Sequence, residues 1–144
     1  MGKIIIIGAN GAVGKACTAN LAEKDLVLIS RSEFDDSSES QPNSEKVVLD
    51  INNYEKTEDF INSIDYEISG IIFAIGSITI KPFSNTSIED FKKLMDDNFF
   101  NIVNFLKLSI DKMSNDSSVV FFSTIAASRG LKSHTGISSA KSAI

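Results

Sequence analysis

Gly8, Gly11 and Gly14 recur every third residue in Gly8-Ala9-Asn10-Gly11-Ala12-Val13-Gly14, directly after the apolar run Ile4 to Ile7. A strand that turns through glycines into a helix leaves backbone N–H groups free at the helix start, and these attract an anion. Gly8 permits the tight turn, Gly11 lets a pyrophosphate approach the backbone, and Gly14 lets the helix pack closely on the strand. The pattern reads as a dinucleotide site with Gly8, Asn10, Gly11, Ala12, Val13 and Gly14 as binding residues. The plainer alternative is an ordinary strand-to-helix turn.

The next apolar run ends in Ser30-Arg31-Ser32. An acid there would accept the two hydroxyls of an unphosphorylated adenosine ribose, whereas arginine offers a guanidinium fork to a 2′-phosphate. Arg31 and Ser32 therefore favour NADP(H), with NAD(H) still admissible; the alternative for Arg31 is a surface ion pair with Glu33 or Asp35. Asp50, followed by Ile51, either accepts from an adenine amino group or caps the next helix. Phe73-Ala74-Ile75-Gly76 sets Ala74 and Gly76 beside the same path. Cys17 lies four residues after Val13 and four before Leu21, and reads as a small core residue.

Positioning these groups takes several elements whose ends converge. The spacing predicts strands over Lys3 to Ile7, Leu26 to Ile29, Lys46 to Leu49, Gly70 to Ala74 and Ser118 to Ser123. Helical periods run from about Ala12 to Glu23, Tyr54 to Ile64 and Ile88 to Met113, with a further helix starting near Gly136. Continuous apolar strands alternating with helices make the class α/β, a parallel sheet covered on both faces. Ser87-Ile88-Glu89-Asp90 opens the long helical stretch with a hydroxyl cap and acids at the positive end. Phe91, Met95, Phe99, Val103, Leu106, Ile110 and Met113 then form a predicted buried stripe, part of which could instead join two copies into a homo-oligomer through Ile88 to Met113. Arg31 to Glu45 reads as a solvated loop. Val119-Val120-Phe121-Phe122 belongs inside a sheet, so strands and helices beyond it are expected and the chain reads as truncated at its C-terminus.

Composition narrows the classes. With 42% apolar and 23% charged side chains the 144 residues read as one domain, residues 1–144. The net charge of −5, without a basic stripe, argues against nucleic acid. Ile4 to Ile7 is far too short for a membrane span or a signal core, so a cytoplasmic protein with no membrane partner is expected. One cysteine, Cys17, and one histidine, His134, exclude an internal disulfide, a multi-thiolate metal site and a His-pair site.

In this order the elements resemble the short-chain dehydrogenase/reductase family over the whole length. The family's TGxxxGxG turn is matched by Ile7 to Gly14, with Ile7 for threonine and the middle glycine at Gly11 rather than Ala12. Its adenine-side acid is similar to Asp50, and its NNAG turn is matched by Phe73-Ala74-Ile75-Gly76, which keeps the final glycine. The resemblance implies a Rossmann-type doubly wound sheet of order 3-2-1-4-5 without the later strands, and hydride transfer between a nicotinamide dinucleotide and an unidentified carbonyl or alcohol substrate. It also implies that Asn98 relays protons through water, that Thr124 or its neighbour Ser123 orients the substrate, and that Lys141 holds the nicotinamide ribose. In the YxxxK motif, matched by Ile137 to Lys141, isoleucine stands where the family has its tyrosine acid. Isoleucine moves no proton. His134, one helical turn earlier, is the candidate replacement, or else a capping imidazole. A protein that binds NADP(H) as a sensor or partner module without catalysis is the alternative.

Overall fold

The structure, a computed structural model, describes residues 2–34 and 42–144. Five parallel strands, β1 (Lys3–Ile7), β2 (Leu26–Ser30), β3 (Ser44–Val48), β4 (Ile68–Phe73) and β5 (Met113–Phe121), form one sheet. Their order is β3-β2-β1-β4-β5. The helices are α1 (Ala12–Asn20), α2 (Tyr54–Ser63), α3 (Ile88–Met95), α4 (Asn101–Ser109) and α5 (Thr135–Ser142). The sheet is the doubly wound arrangement expected from the sequence.

Branched side chains explain why the middle strands form. Ile4 to Ile7 and Leu26 to Ile29 are stiff at χ1 and fit a pleated surface covered on both sides. Ile5, Ile7, Val27 and Ile29 enter the core shared with Ile61 of α2 and Ile102 and Phe105 of α4. Ile6, Leu26 and Leu28 point to the other face, where Cys17 and Leu21 pack, so Cys17 is a small core residue. Successive connections leave β1 toward β2 on one side and reach β4 on the other, which opens a crevice at the carboxyl ends of β1 and β4.

Several boundaries differ from expectation. α1 stops at Asn20 because the Leu21 N–H turns back to the carbonyls of Cys17 and Thr18. The predicted solvated loop is shorter, since β3 begins at Ser44, and its residues 35–41 lie outside the described residues. Met113 is the first residue of β5 rather than the last of a helix: it pairs with Ile68, and a register shift then sets Ser118 opposite Gly70.

The predicted long helical stretch is continuous but carries a π turn at Asp96–Phe100 between α3 and α4. An extra residue per turn rotates the face that follows. The line that is buried is Leu94, Asn98, Ile102, Phe105 and Ser109. Phe91, Met95, Phe99, Val103 and Leu106 of the predicted stripe are only half-buried, and Ile110 is exposed. Val119 to Phe121, expected inside the sheet, lies on its edge strand β5, where Val120 is 42% exposed.

Candidate functional site

Gly8 leaves β1 at φ 88°, with its N–H donating to the Ile29 carbonyl at 2.9 Å, so the turn is stitched to β2. A Cβ on Gly8 would run into the Ala74 carbonyl oxygen and stand 2.8 Å from its carbon. A Cβ on Gly14 would meet the Gly8 carbonyl and lie 2.7 Å from the Ala9 Cα. Both positions are closed to any side chain. Gly11 is the N-cap of α1 and provides no side-chain cap, so the first-turn N–H groups, at Ala12 and Val13 among others, are left for a ligand.

The turn borders a groove of about 380 Å³ that runs past Asn10, Arg31, Asp50 and Ile51 to Ala74 and Gly76. Asn10 fixes its outer wall: its Nδ2 donates to the Ser32 carbonyl at 3.2 Å, the Ser32 hydroxyl at 3.3 Å and the Glu33 carbonyl at 2.9 Å. Arg31 is exposed and has no ion pair with Glu33 or any other described residue; Asp35 lies outside the described residues. Asp50 does not cap α2. Asn53 does so by accepting from the Lys56 N–H at 3.0 Å, while an Asp50 carboxylate oxygen accepts from Asn52 N–H at 3.1 Å. Ile51 is 5% exposed and contributes the groove's apolar floor.

A second cavity of about 280 Å³ adjoins the groove at Ala74 to Ser77 and is closed by Val13, Phe122, Ile137 and Lys141. Phe73, stacked on Phe121 at 5.5 Å and edge-on to Phe105 at 5.8 Å, anchors the end of β4 that leads into it. Gly76 has φ 153°, and a Cβ there would lie 2.5 Å from Asn98 Oδ1. Asn98 is fully buried and donates from Nδ2 to the carbonyls of Leu94 at 2.9 Å and Ser77 at 3.0 Å. Its Oδ1 and the Ser77 hydroxyl are buried with no partner.

Lys141 reaches in from α5, its Nζ 3.5 Å from the Ile75 carbonyl. Burial pushes its ammonium below the ordinary lysine value. Ile137, 4% exposed, lines the cavity and packs on Leu94 and Ala140. Ser123 lines it too, donating to the Lys141 carbonyl at 3.2 Å. Thr124 does not: its hydroxyl accepts from Ala126 N–H at 3.3 Å and caps a short 3-10 turn, Ile125–Ala127. His134 also stands apart, its ring Nδ1 2.7 Å from the Lys132 carbonyl at the start of α5.

The structure thus gathers Gly8 to Gly14, Arg31, Ser32, Asp50, Ala74 and Gly76 on one groove, and Asn98, Ser123 and Lys141 on one cavity. Ser77 borders both and was not marked by the sequence. Its one signal is that it follows Gly76 directly. The bridging role of Asn10 joins residues more than twenty apart and is equally invisible in spacing.

Comparison with known proteins gives one consistent picture. The family model for short chain dehydrogenase matches residues 2–144. Among solved structures, a tyrosine-to-phenylalanine variant of ElxO with NADPH bound is 19% identical with a TM-score of 0.88, over 99% of this chain and 64% of that one. A short-chain dehydrogenase/reductase from Saccharomyces cerevisiae is 22% identical with a TM-score of 0.89, over 99% of this chain and 61% of that one. A 4-hydroxyisoleucine dehydrogenase complexed with NADH and succinate is 18% identical with a TM-score of 0.82, over 97% of this chain and 67% of that one. The chain therefore spans less than two thirds of the first two proteins' length. No curated protein matches it. No helix among the described residues is long and apolar enough to cross a membrane.

Proposed function

The chain belongs to the short-chain dehydrogenase family, and from that premise we propose that it binds NADP(H) across the ends of β1, β2 and β4 and serves hydride transfer between the nicotinamide and a carbonyl or alcohol carbon. The observation that carries this reading is the turn from Gly8 to Gly14, which admits no side chain at its two ends and opens on a groove with Arg31 at one end and Lys141 beyond the other.

The residues present fit a dinucleotide. First-turn N–H groups of α1 would take the pyrophosphate, Asp50 the adenine amino group, and Arg31 with Ser32 the 2′-phosphate. Arg31 has no ion-pair partner among the described residues, which suits a residue kept for a ligand anion and favours NADP(H) over NAD(H). Lys141 would hold the nicotinamide ribose. When bound, the nicotinamide supplies or accepts the hydride.

The chain's own part in the chemistry is to orient and to manage a proton. Ser123 is the hydroxyl on the cavity and would donate to a substrate oxygen. With Ile137 unable to transfer a proton, the route runs from Lys141 Nζ and water held against Asn98. His134 faces away from this route in its contact with Lys132. General acid help is worth on the order of 10²–10⁴ in rate, so turnover should be slow rather than lost. The reading places the protein in the cytoplasm, with two copies paired through the half-buried stripe of Met95, Phe99, Val103 and Leu106.

Calorimetric titration tests it. NADPH should bind, and Arg31→Ala should weaken NADPH by about 10–100-fold, the worth of one charge-assisted contact, while leaving NADH unchanged. Equal losses for both nucleotides would remove Arg31 from the 2′-phosphate. Binding without turnover on any member of a carbonyl panel would leave a nucleotide-binding module in place of an enzyme.

A further inference from the structure

Lys141 has no carboxylate beside it. Its Nζ has one hydrogen bond, to the Ile75 carbonyl at 3.5 Å, and no ion pair among the described residues. The cavity of about 280 Å³ around it is walled by Val13, Ile78, Phe122 and Ile137. Two further polar atoms of its lining residues, Ser77 Oγ and Asn98 Oδ1, are buried without partners. An amine in an apolar chamber, with a hydroxyl and an amide oxygen left unused in the same wall, is the setting in which lysine becomes a nucleophile.

We propose that Lys141 is a nucleophilic amine that captures small carbonyl compounds with an apolar body, holding them as an imine in the cavity it shares with Ile137 and Ser77. This is separate from the dinucleotide reading and stands without it. The nitrogen lone pair forms a bond to the carbonyl carbon, and the C=O electrons move to oxygen, which takes a proton. The resulting carbinolamine expels that oxygen as water while nitrogen loses its remaining proton to solvent, leaving C=N. One carbonyl compound and one amine give one imine and one water, with nothing oxidised or reduced. Ser77 Oγ can donate to the oxygen as it leaves, and Asn98 Oδ1 can accept from the departing water.

The groups that face Lys141 do not compete for this role. Its neighbours on the β4 loop, Ile75 to Ile78, and on the β5 end, Phe122 and Ser123, do not titrate in the relevant range, and neither does Ile137 on α5. Asp97 of the π turn borders the neighbouring groove and is ion-paired with Lys93 at 2.9 Å. His134 on the start of α5 is turned to the Lys132 carbonyl. Burial lowers the pKa of Lys141, which raises its neutral, reactive fraction near neutrality.

The test uses the full chain without nucleotide. Butyraldehyde is added with cyanoborohydride near neutral pH, the hydride reagent trapping any imine as a butyl-lysine, and the rate at each lysine is followed by peptide mass spectrometry. Lys141 should be alkylated about tenfold faster than the exposed Lys24, and its rate should rise at lower pH than that of Lys24. Glyceraldehyde, with the same reactive group on a hydroxylated body, should show no preference for Lys141. A Lys141 that reacts no faster than Lys24 with butyraldehyde overturns the nucleophile, and equal selectivity with the two aldehydes overturns the apolar class of ligand.

Discussion

A single methyl added at Gly14 would meet the Gly8 carbonyl and sit 2.7 Å from the Ala9 Cα, both of them backbone. Neither neighbour can swing away, so α1 must lift from β1, and Gly14→Ala should cost about 1–3 kcal/mol of stability in urea unfolding, together with nucleotide binding. Lys141 gives the pH dependence. Burial lowers its pKa in the folded chain, so between that value and the ordinary one the unfolded chain holds more protons, and stability rises with pH across this window. Below the window the charged head bears the full cost of burial. Lys141→Met should therefore melt higher than the native chain near neutrality, and the gap should shrink as pH climbs toward the ordinary lysine value. A gap that stays constant in thermal melts across that range would show that desolvation is not the cause. The roles legible in the sequence at this scale are those fixed by a residue's own backbone neighbours: the glycines of the turn, Arg31 at a strand end, Lys141 in its motif. Ser77 and Asn10 act through contacts with distant segments, and nothing in their type announces it.

Ser87 and Asp90 show how a cap positions an element. The Ser87 hydroxyl accepts from Asp90 N–H at 3.0 Å, and the Asp90 carboxylate accepts from Ser87 N–H at 3.1 Å and pairs with Lys81 at 2.8 Å. Lys81 N–H in turn donates to the Ser133 carbonyl at 3.0 Å, so the start of α3 is tied to the approach to α5. Ser87→Ala should lower stability by about 1 kcal/mol. Amide exchange would check where the loss falls: protection should drop first over Ile88 to Phe91 and at the start of α5, and a uniform loss across the sheet would contradict this coupling. The Lys81 contact, followed by the Ser87 N–H, lowers the pKa of Asp90. The contribution of this box is thus present above the ordinary carboxylate value and fades as pH falls through the depressed one. Ser87 and Asp90 stand three residues apart, so this cap is readable directly. The π turn is not, because it depends on Asn98 being drawn inward to the Leu94 and Ser77 carbonyls, a tertiary preference that the apolar spacing of the helix contradicts.

At the scale of the molecule the strand order follows from alternating strands and helices with parallel connections, and the crevice at β1 and β4 follows from that order. What the pattern does not carry is which apolar surface stays uncovered. Two candidates compete. The outer edge of β5 offers backbone groups, but its first half is Ser114-Asn115-Asp116-Ser117-Ser118, and the register shift opposite Ile68 and Gly70 breaks its regularity. An irregular, polar edge is a poor template for a second strand. The outer face of the π turn and α4 is different: Phe100 is 48% and Ile110 59% exposed, with Phe99, Val103 and Leu106 half-buried between them on neighbouring turns. An apolar line of that length on a regular helix suits a two-fold pairing of identical faces. Sedimentation velocity should find a dimer at micromolar concentration, and Phe100→Glu, which sets like charges opposite each other at such an axis, should raise its dissociation constant at least about tenfold. Because Phe100 is half exposed, this substitution should leave the melting curve of the monomer near that of the native chain. A native chain that sediments as a monomer, or a Phe100→Glu dimer of unchanged affinity, would remove the helical face as the interface and turn attention to β5.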